Sequence, residues 1–259
     1  MPDELKIDTA EEFPHLSNAP IVEAVIEIRA RAEAPWDEPA ILDHLKTQLP
    51  EYPSVLSQRE FRHELKVGPG EPAQSKVQDL GLKGFRLESS DRRQIAQFNR
   101  DSFVLSRLSP YEGWDQFSEE SVRLWEMYSG LAKPSEIQRL GLRFINRIAL
   151  IPQHDTLDYY LVAPPQTSAE LGFPFVAFLH RDSFAVPGHP YIVNIVKTIQ
   201  PQQAPGSAGP ALIFDIDVVS DQSFQLEESG LEQRANEMRW LKNKFFFGNI
   251  TPRVLETFR

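Results

Sequence analysis

From Val22 the chain alternates with period two. Val22, Ala24, Ile26, Ile28 and Ala30 form one apolar face, while Glu23, Val25, Glu27, Arg29 and Arg31 form a mostly charged one. Successive strand side chains point to opposite sides of a sheet, so this is a strand buried on one side and polar on the other. Residues 39–49 then read as a short helix, with Ile41, Leu42 and Leu45 on one side and Pro50 and Pro53 ending it. Residues 59–67 suggest another strand. The Gly- and Pro-containing stretch 68–79 reads as a flexible loop. Three strands are expected at 85–89, 94–99 and 103–108, followed by a long helix over 114–131 with Phe117, Val122, Leu124, Trp125 and Tyr128 on its apolar side.

The second half repeats this grammar. Residues 138–151 form a long strand, with Leu140, Leu142, Phe144, Ile148 and Leu150 on one face and Arg139, Arg143 and Arg147 on the other. A short helix at 157–162, strands at 175–181, 191–199 and 211–219, and a helix over 231–247 follow. Thr251-Pro252 reads as a cap and first helical position opening a last turn. The pattern predicts an α+β protein. It has two similar β-α-β(3-4)-α halves, 16–134 and 135–259, fused into one globular unit. They share a mainly antiparallel sheet with the long helices packed on one face. Residues 1–15 read as a loosely held, flexible leader.

Composition narrows the chemistry. The 259 residues include no cysteine, which excludes disulfides, thiolate zinc sites, iron–sulfur clusters and a cysteine nucleophile. The formal net charge of −10 makes nucleic acid an unfavoured partner on average. An acidic, polar start and the lack of any apolar run of about 18 residues predict a cytoplasmic protein with no membrane partner.

Four blocks carry a family resemblance: LSNAPIVEAVIEIR (16–29), FVLSRLSPYEGWDQFSEESVRLWEMY (103–128), RLGLRFINRIAL (139–150) and WLKNKFFFGNITPRVLETF (240–258). Together, and in this order, they resemble a sporadically distributed, uncharacterised bacterial protein family. The resemblance implies no activity and no catalytic residues. The family's patchy distribution is similar to that of genes on mobile elements. This suggests a non-enzymatic interaction or sensor protein, a component of a phage-defence or toxin–antitoxin system with an operon-encoded protein partner.

No Gly-rich phosphate loop, nucleophile elbow or S-x-x-K motif is present, and no cofactor is expected. None of the six histidines stands in metal-ligand spacing, so no metal site is expected; His154 beside Asp155 and His180 near Asp182 are the nearest approaches. The charged strand faces offer two readings. Glu23 and Glu27 on the first strand, against Arg143 and Arg147 on its counterpart, suit cross-strand pairs that fix register. The same Glu23 and Glu27, with Arg29, Arg139, Arg143 and Arg147, also suit a polar sheet or tunnel binding a phosphate ligand such as a nucleotide, or hydrolysing it. The stretch around Arg107, Tyr111, Glu112 and Trp114 reads either as a partner surface or as a staple holding the following helix to the core. The cations of the last helix, Arg234, Arg239, Lys242 and Lys244, read as a solvated face.

Overall fold

The computed structural model describes residues 5–68, 74–151, 156–166, 177–202, 209–225 and 230–259. Its centre is the pair β1 (Ile21–Arg29) and β7 (Arg139–Ala149), which run antiparallel with Ala24 opposite Phe144 and Ile26 opposite Leu142. Outward from β1 lie β5 (Ser102–Leu108), β4 (Gln94–Asn99), β3 (Gln74–Glu88) and β2 (Ser54–Lys66). Outward from β7 lie β10 (Ala211–Ser220), β9 (Ile192–Gln200) and β8 (Leu179–Ala185). All pairings in this nine-stranded sheet are antiparallel. The alternation read from the sequence decides which side is buried. Ala24, Ile26, Ile28, Phe103, Leu105, Leu140, Leu142, Phe144, Phe214 and Ile216 all point to one side and are almost fully buried.

Two long helices meet that apolar side. From α2 (Trp114–Ala132), Trp125 and Tyr128 pack on Phe103 of β5, and the Tyr128 hydroxyl donates to the Ala30 carbonyl at 2.6 Å. From α3 (Leu231–Asn249), Phe246 stacks on Phe214 of β10. The shorter α1 (Glu38–Gln48) starts at Asp37, whose carboxylate accepts from the Ala40 amide at 2.9 Å, and buries Ile41 and Leu45. A two-stranded ribbon of β6 (Glu136–Ile137) and β11 (Phe224–Gln225), absent from the sequence expectation, stands beside the main sheet. Gly84 marks a close approach of β3 to β4: a Cβ there would meet the Phe98 carbonyl oxygen at 2.4 Å.

Several boundaries differ from the sequence reading. Residues 74–79, expected in a flexible loop, belong to β3, which pairs with β2 through to Lys66 opposite Gln74. That part of the hairpin buries nothing, so no apolar period announced it. The strand expected at 175–181 is β8 at Leu179–Ala185; residues 175 and 176 lie outside the described residues. The helix at 157–162 is a single 3-10 turn, Leu157–Tyr159. The last turn is α4 (Pro252–Leu255), but the Thr251 hydroxyl donates to the Tyr159 carbonyl at 2.5 Å instead of capping it. The leader, read as loosely held, makes defined contacts over its described part. Phe13 stacks on Phe247, and Glu11 accepts from Trp240 and Lys244 of α3.

Candidate ligand-binding cavity

The sequence pointed to the charged side of the sheet, and there the arginines are already engaged. Glu27 binds Arg29 at 3.1 Å and pairs across the two strands with Arg139, not with the expected Arg143 or Arg147. Arg143 makes a two-pronged contact with Asp215 of β10, at 2.9 and 2.6 Å, rather than with Glu23. Arg147 donates to the Gly209 carbonyl at 2.5 Å and to Gln200 at 3.4 Å. Hydrogen bonding to Asp215 holds the Arg143 guanidinium above its ordinary pKa, whereas burial pushes the Asp217 carboxyl up. Among the described residues no group of three or more His, Asp or Glu side chains is arranged to hold a metal ion. His180 and Asp182 do form a pair on β8, at 3.1 Å; His154 lies outside the described residues.

The apolar side holds a cavity of about 460 Å³. Its floor is the middle of β7, where Phe144 and Asn146 face inward. One wall is the linker between β5 and α2, with Tyr111, Gly113 and Trp114; the opposite wall is α3, with Asn236, Arg239, Lys242, Asn243 and Phe246. Leader residues 9–16 close it over. Arg107 positions the linker. Arg107 is 8% exposed, and its guanidinium meets Glu112 at 3.0 Å and Asp91 at 3.7 Å. Tyr111 then packs edge-on against Phe144 at 5.7 Å, and the Trp114 indole donates to Asn236 at 2.9 Å, tying linker to helix. Of these four, Tyr111, Glu112 and Trp114 line the cavity, Trp114 being 9% exposed and Glu112 exposed, while Arg107 stands behind them holding Glu112.

The cations of this cavity are of a different kind from those on the charged face. Lys242 holds its ammonium 4.3 Å from the centre of the Phe144 ring, and Arg239 lies 5.5 Å from the Trp114 ring. Among the described residues neither has a carboxylate within ion-pair distance. Their counterparts are aromatic faces, which attract cations but do not neutralise them. Burial, and then the neighbouring Arg239, bring the Lys242 ammonium down to a pKa of about 7. Burial likewise raises the Tyr111 phenol, so it stays a neutral donor. The helix face read as solvated is thus divided. Arg239 and Lys242 face the cavity, Lys244 binds Glu11 at 2.6 Å, and Arg234 lies 4.3 Å from the Phe224 ring.

Sequence reasoning named Tyr111, Glu112 and Trp114 but missed Lys242, Arg239, Phe144 and Asn146 as partners in one site. The available signal was a lysine and an arginine three residues apart, flanking Trp240 and Leu241, on a helix whose apolar positions leave little room for a purely wet face. No family model matches this chain, and no curated protein matches it. No described helix is long and apolar enough to cross a membrane.

Proposed function

We propose that this protein is a sensor that binds a small anionic ligand with a flat ring, a mononucleotide-like phosphate compound, in the cavity between the leader, the β5–α2 linker and α3. One observation carries the reading: Arg239 and Lys242 face the cavity and, among the described residues, neither forms an ion pair with Glu11, Glu12 or Glu112, the carboxylates that share its lining. Both cations are half-buried, and a partly desolvated charge without an ion-pair partner is costly; a bound anion lowers that cost. The volume suits such a ligand, since small-molecule sites span about 300 to 1,000 Å³. Tyr111 borders the cavity with a half-buried ring, and Asn236 and Asn243 offer amides.

The four sequence blocks that resemble the sporadically distributed bacterial family each supply part of this cavity: Leu16 to Ile21, Tyr111 to Trp114, Phe144 with Asn146, and Trp240 to Phe247. Their convergence supports reading them as one binding device. The leader links occupancy to the surface, and through it to a protein partner of the kind a phage-defence or toxin–antitoxin component would have. The mirrored strand order around β1 and β7 supports reading the two halves as related units.

The test is thermal unfolding of the protein against nucleoside monophosphates, aromatic carboxylates and inorganic phosphate at pH 6 and pH 8. A ligand at about one hundred times its dissociation constant adds about 2.7 kcal/mol of stability. The expected result is a shift with the ring-bearing anions, larger at pH 6, and lost in the Arg239→Leu/Lys242→Met variant. No shift with any anion, or a shift that survives in that variant, overturns the reading.

A further inference from the structure

β2 is an end strand of the nine-stranded sheet and pairs only with β3. β3 in turn meets β4 only over Gly84–Glu88, so the far part of the β2–β3 hairpin projects beyond the sheet. Residues 60–66 of β2 are all exposed. Phe61 and Leu65 share one face with Val77 of β3, and these three are 57%, 61% and 63% exposed. An exposed edge bearing apolar side chains is a template for pairing with another strand. Of the usual guards β2 keeps its charged side chains but lacks two others, proline and a bulge. It contains no proline, and both irregularities of the hairpin place the extra residue, Leu80 or Lys83, on β3. The outer edge of β2 therefore runs unbroken.

The sequence of that edge is Glu60-Phe61-Arg62-His63-Glu64-Leu65-Lys66. Read outward from His63 in either direction, each charge meets its opposite and each apolar residue an apolar one. We propose that two copies of this chain join through antiparallel pairing of their β2 edges, with His63 of each opposite the other on the two-fold axis. Arg62 then faces the partner's Glu64, Glu60 faces the partner's Lys66, and Phe61 faces the partner's Leu65. By two-fold symmetry that makes four opposite-charge contacts on one face and a doubled apolar stripe on the other.

Strand residues turn their backbone groups alternately inward and outward, so a symmetric ladder closes only where a residue faces its own copy. Centring on Arg62 sets Glu60 against the partner's Glu64, and centring on Glu64 sets Arg62 against the partner's Lys66. Centring on Phe61 or Leu65 keeps only half of the favourable contacts. The His63 register alone satisfies every charge from 60 to 66, and like charges directly opposite are destabilising.

The test is sedimentation equilibrium of the full chain with charge-swapped variants. The wild type is expected to dimerise, and Arg62→Glu to weaken association by about tenfold or more. Arg62→Glu/Glu64→Arg should restore it, because the swapped charges again face opposites. That rescue is specific to the His63 register; centring on Phe61 would leave the new glutamate against the partner's Glu60. The native chain has no cysteine, so His63→Cys carries a single thiol. Opposed residues of an antiparallel pair sit about 4.5 to 5.5 Å apart at Cα, within disulfide reach. Under mild oxidation His63→Cys should form a covalent dimer well ahead of Lys76→Cys, on the other strand of the same hairpin. A wild type that stays monomeric at every concentration reached, a double variant that is not rescued, or equal cross-linking of the two cysteine variants each overturns the proposal.

Discussion

The two sides of the central sheet treat positive charge in opposite ways. On the charged side, Arg29 and Arg139 share Glu27, and Arg143 grips Asp215 with two hydrogen bonds. On the apolar side, Arg239 and Lys242 rest on aromatic rings and face a cavity. Dense charge marks the first side and unbalanced charge the second. A ligand anion recruited to the charged side has to displace an internal carboxylate, whereas in the cavity it completes a set of contacts. The proposed site rests on this difference between cations with and without an ion-pair partner, rather than on their number.

The largest effect that would break this contrast comes from Lys242→Met. Between about pH 7 and the ordinary lysine value of 10.5, the unfolded chain holds this proton and the native chain releases it, so native stability rises with pH across that window. Below pH 7 the native state carries the full cost of the buried ammonium. The methionine variant is expected to be more stable than wild type by roughly 2 to 4 kcal/mol at pH 6. It should also lose both the pH slope and ligand binding. Denaturant unfolding at pH 6 and pH 10 checks the sign and the size.

Arg143→Ala is the matching change on the other side, and its signature is reversed. It leaves Asp215, only 13% exposed, without its partner. The expected loss is about 1 to 3 kcal/mol, with no change in the ligand-induced shift. A joint Arg143→Ala/Arg147→Ala variant that abolished ligand binding while remaining folded would move the site to the charged face. The smallest effect concerns the roof. Hydrogen bonding to Lys244 holds the Glu11 carboxyl below its ordinary pKa. Its contribution is therefore present above the ordinary carboxylate range and lost as pH falls through the lowered value. Glu11→Ala should speed hydrogen exchange of the leader amides at neutral pH, and acidification should do the same in the wild type, while α2 amides stay protected.

How far the sequence revealed this arrangement follows from burial. β1 and β7 were legible because each has one more deeply buried side, and period-two alternation records that asymmetry. α2 and α3 were legible from their apolar positions. The outer part of β3 was read as loop because its residues are exposed and leave no such record. The cavity failed for another reason. Leu16, Tyr111, Phe144 and Lys242 are separated by long stretches of chain and meet only because β1 and β7 are neighbours and the leader folds over α3. On the helix taken alone, Arg239 and Lys242 look like any amphipathic polar face. The glutamate–arginine pairing of β1 and β7 was foreseeable in kind, but not the choice of Asp215 over Glu23 as the partner of Arg143, which depends on which strand lies on the far side of β7.

The most direct test is the titration of Lys242 itself, followed by NMR of the protein with 13C-labelled dimethylated lysines, in buffer and with added inorganic phosphate. One lysine signal is expected to titrate near pH 7, to be absent from Lys242→Met and to move to higher pH with phosphate. Lysine signals that all titrate near the ordinary value, or a low-titrating signal indifferent to phosphate, would contradict the claim that an unbalanced cation in this cavity awaits an anion.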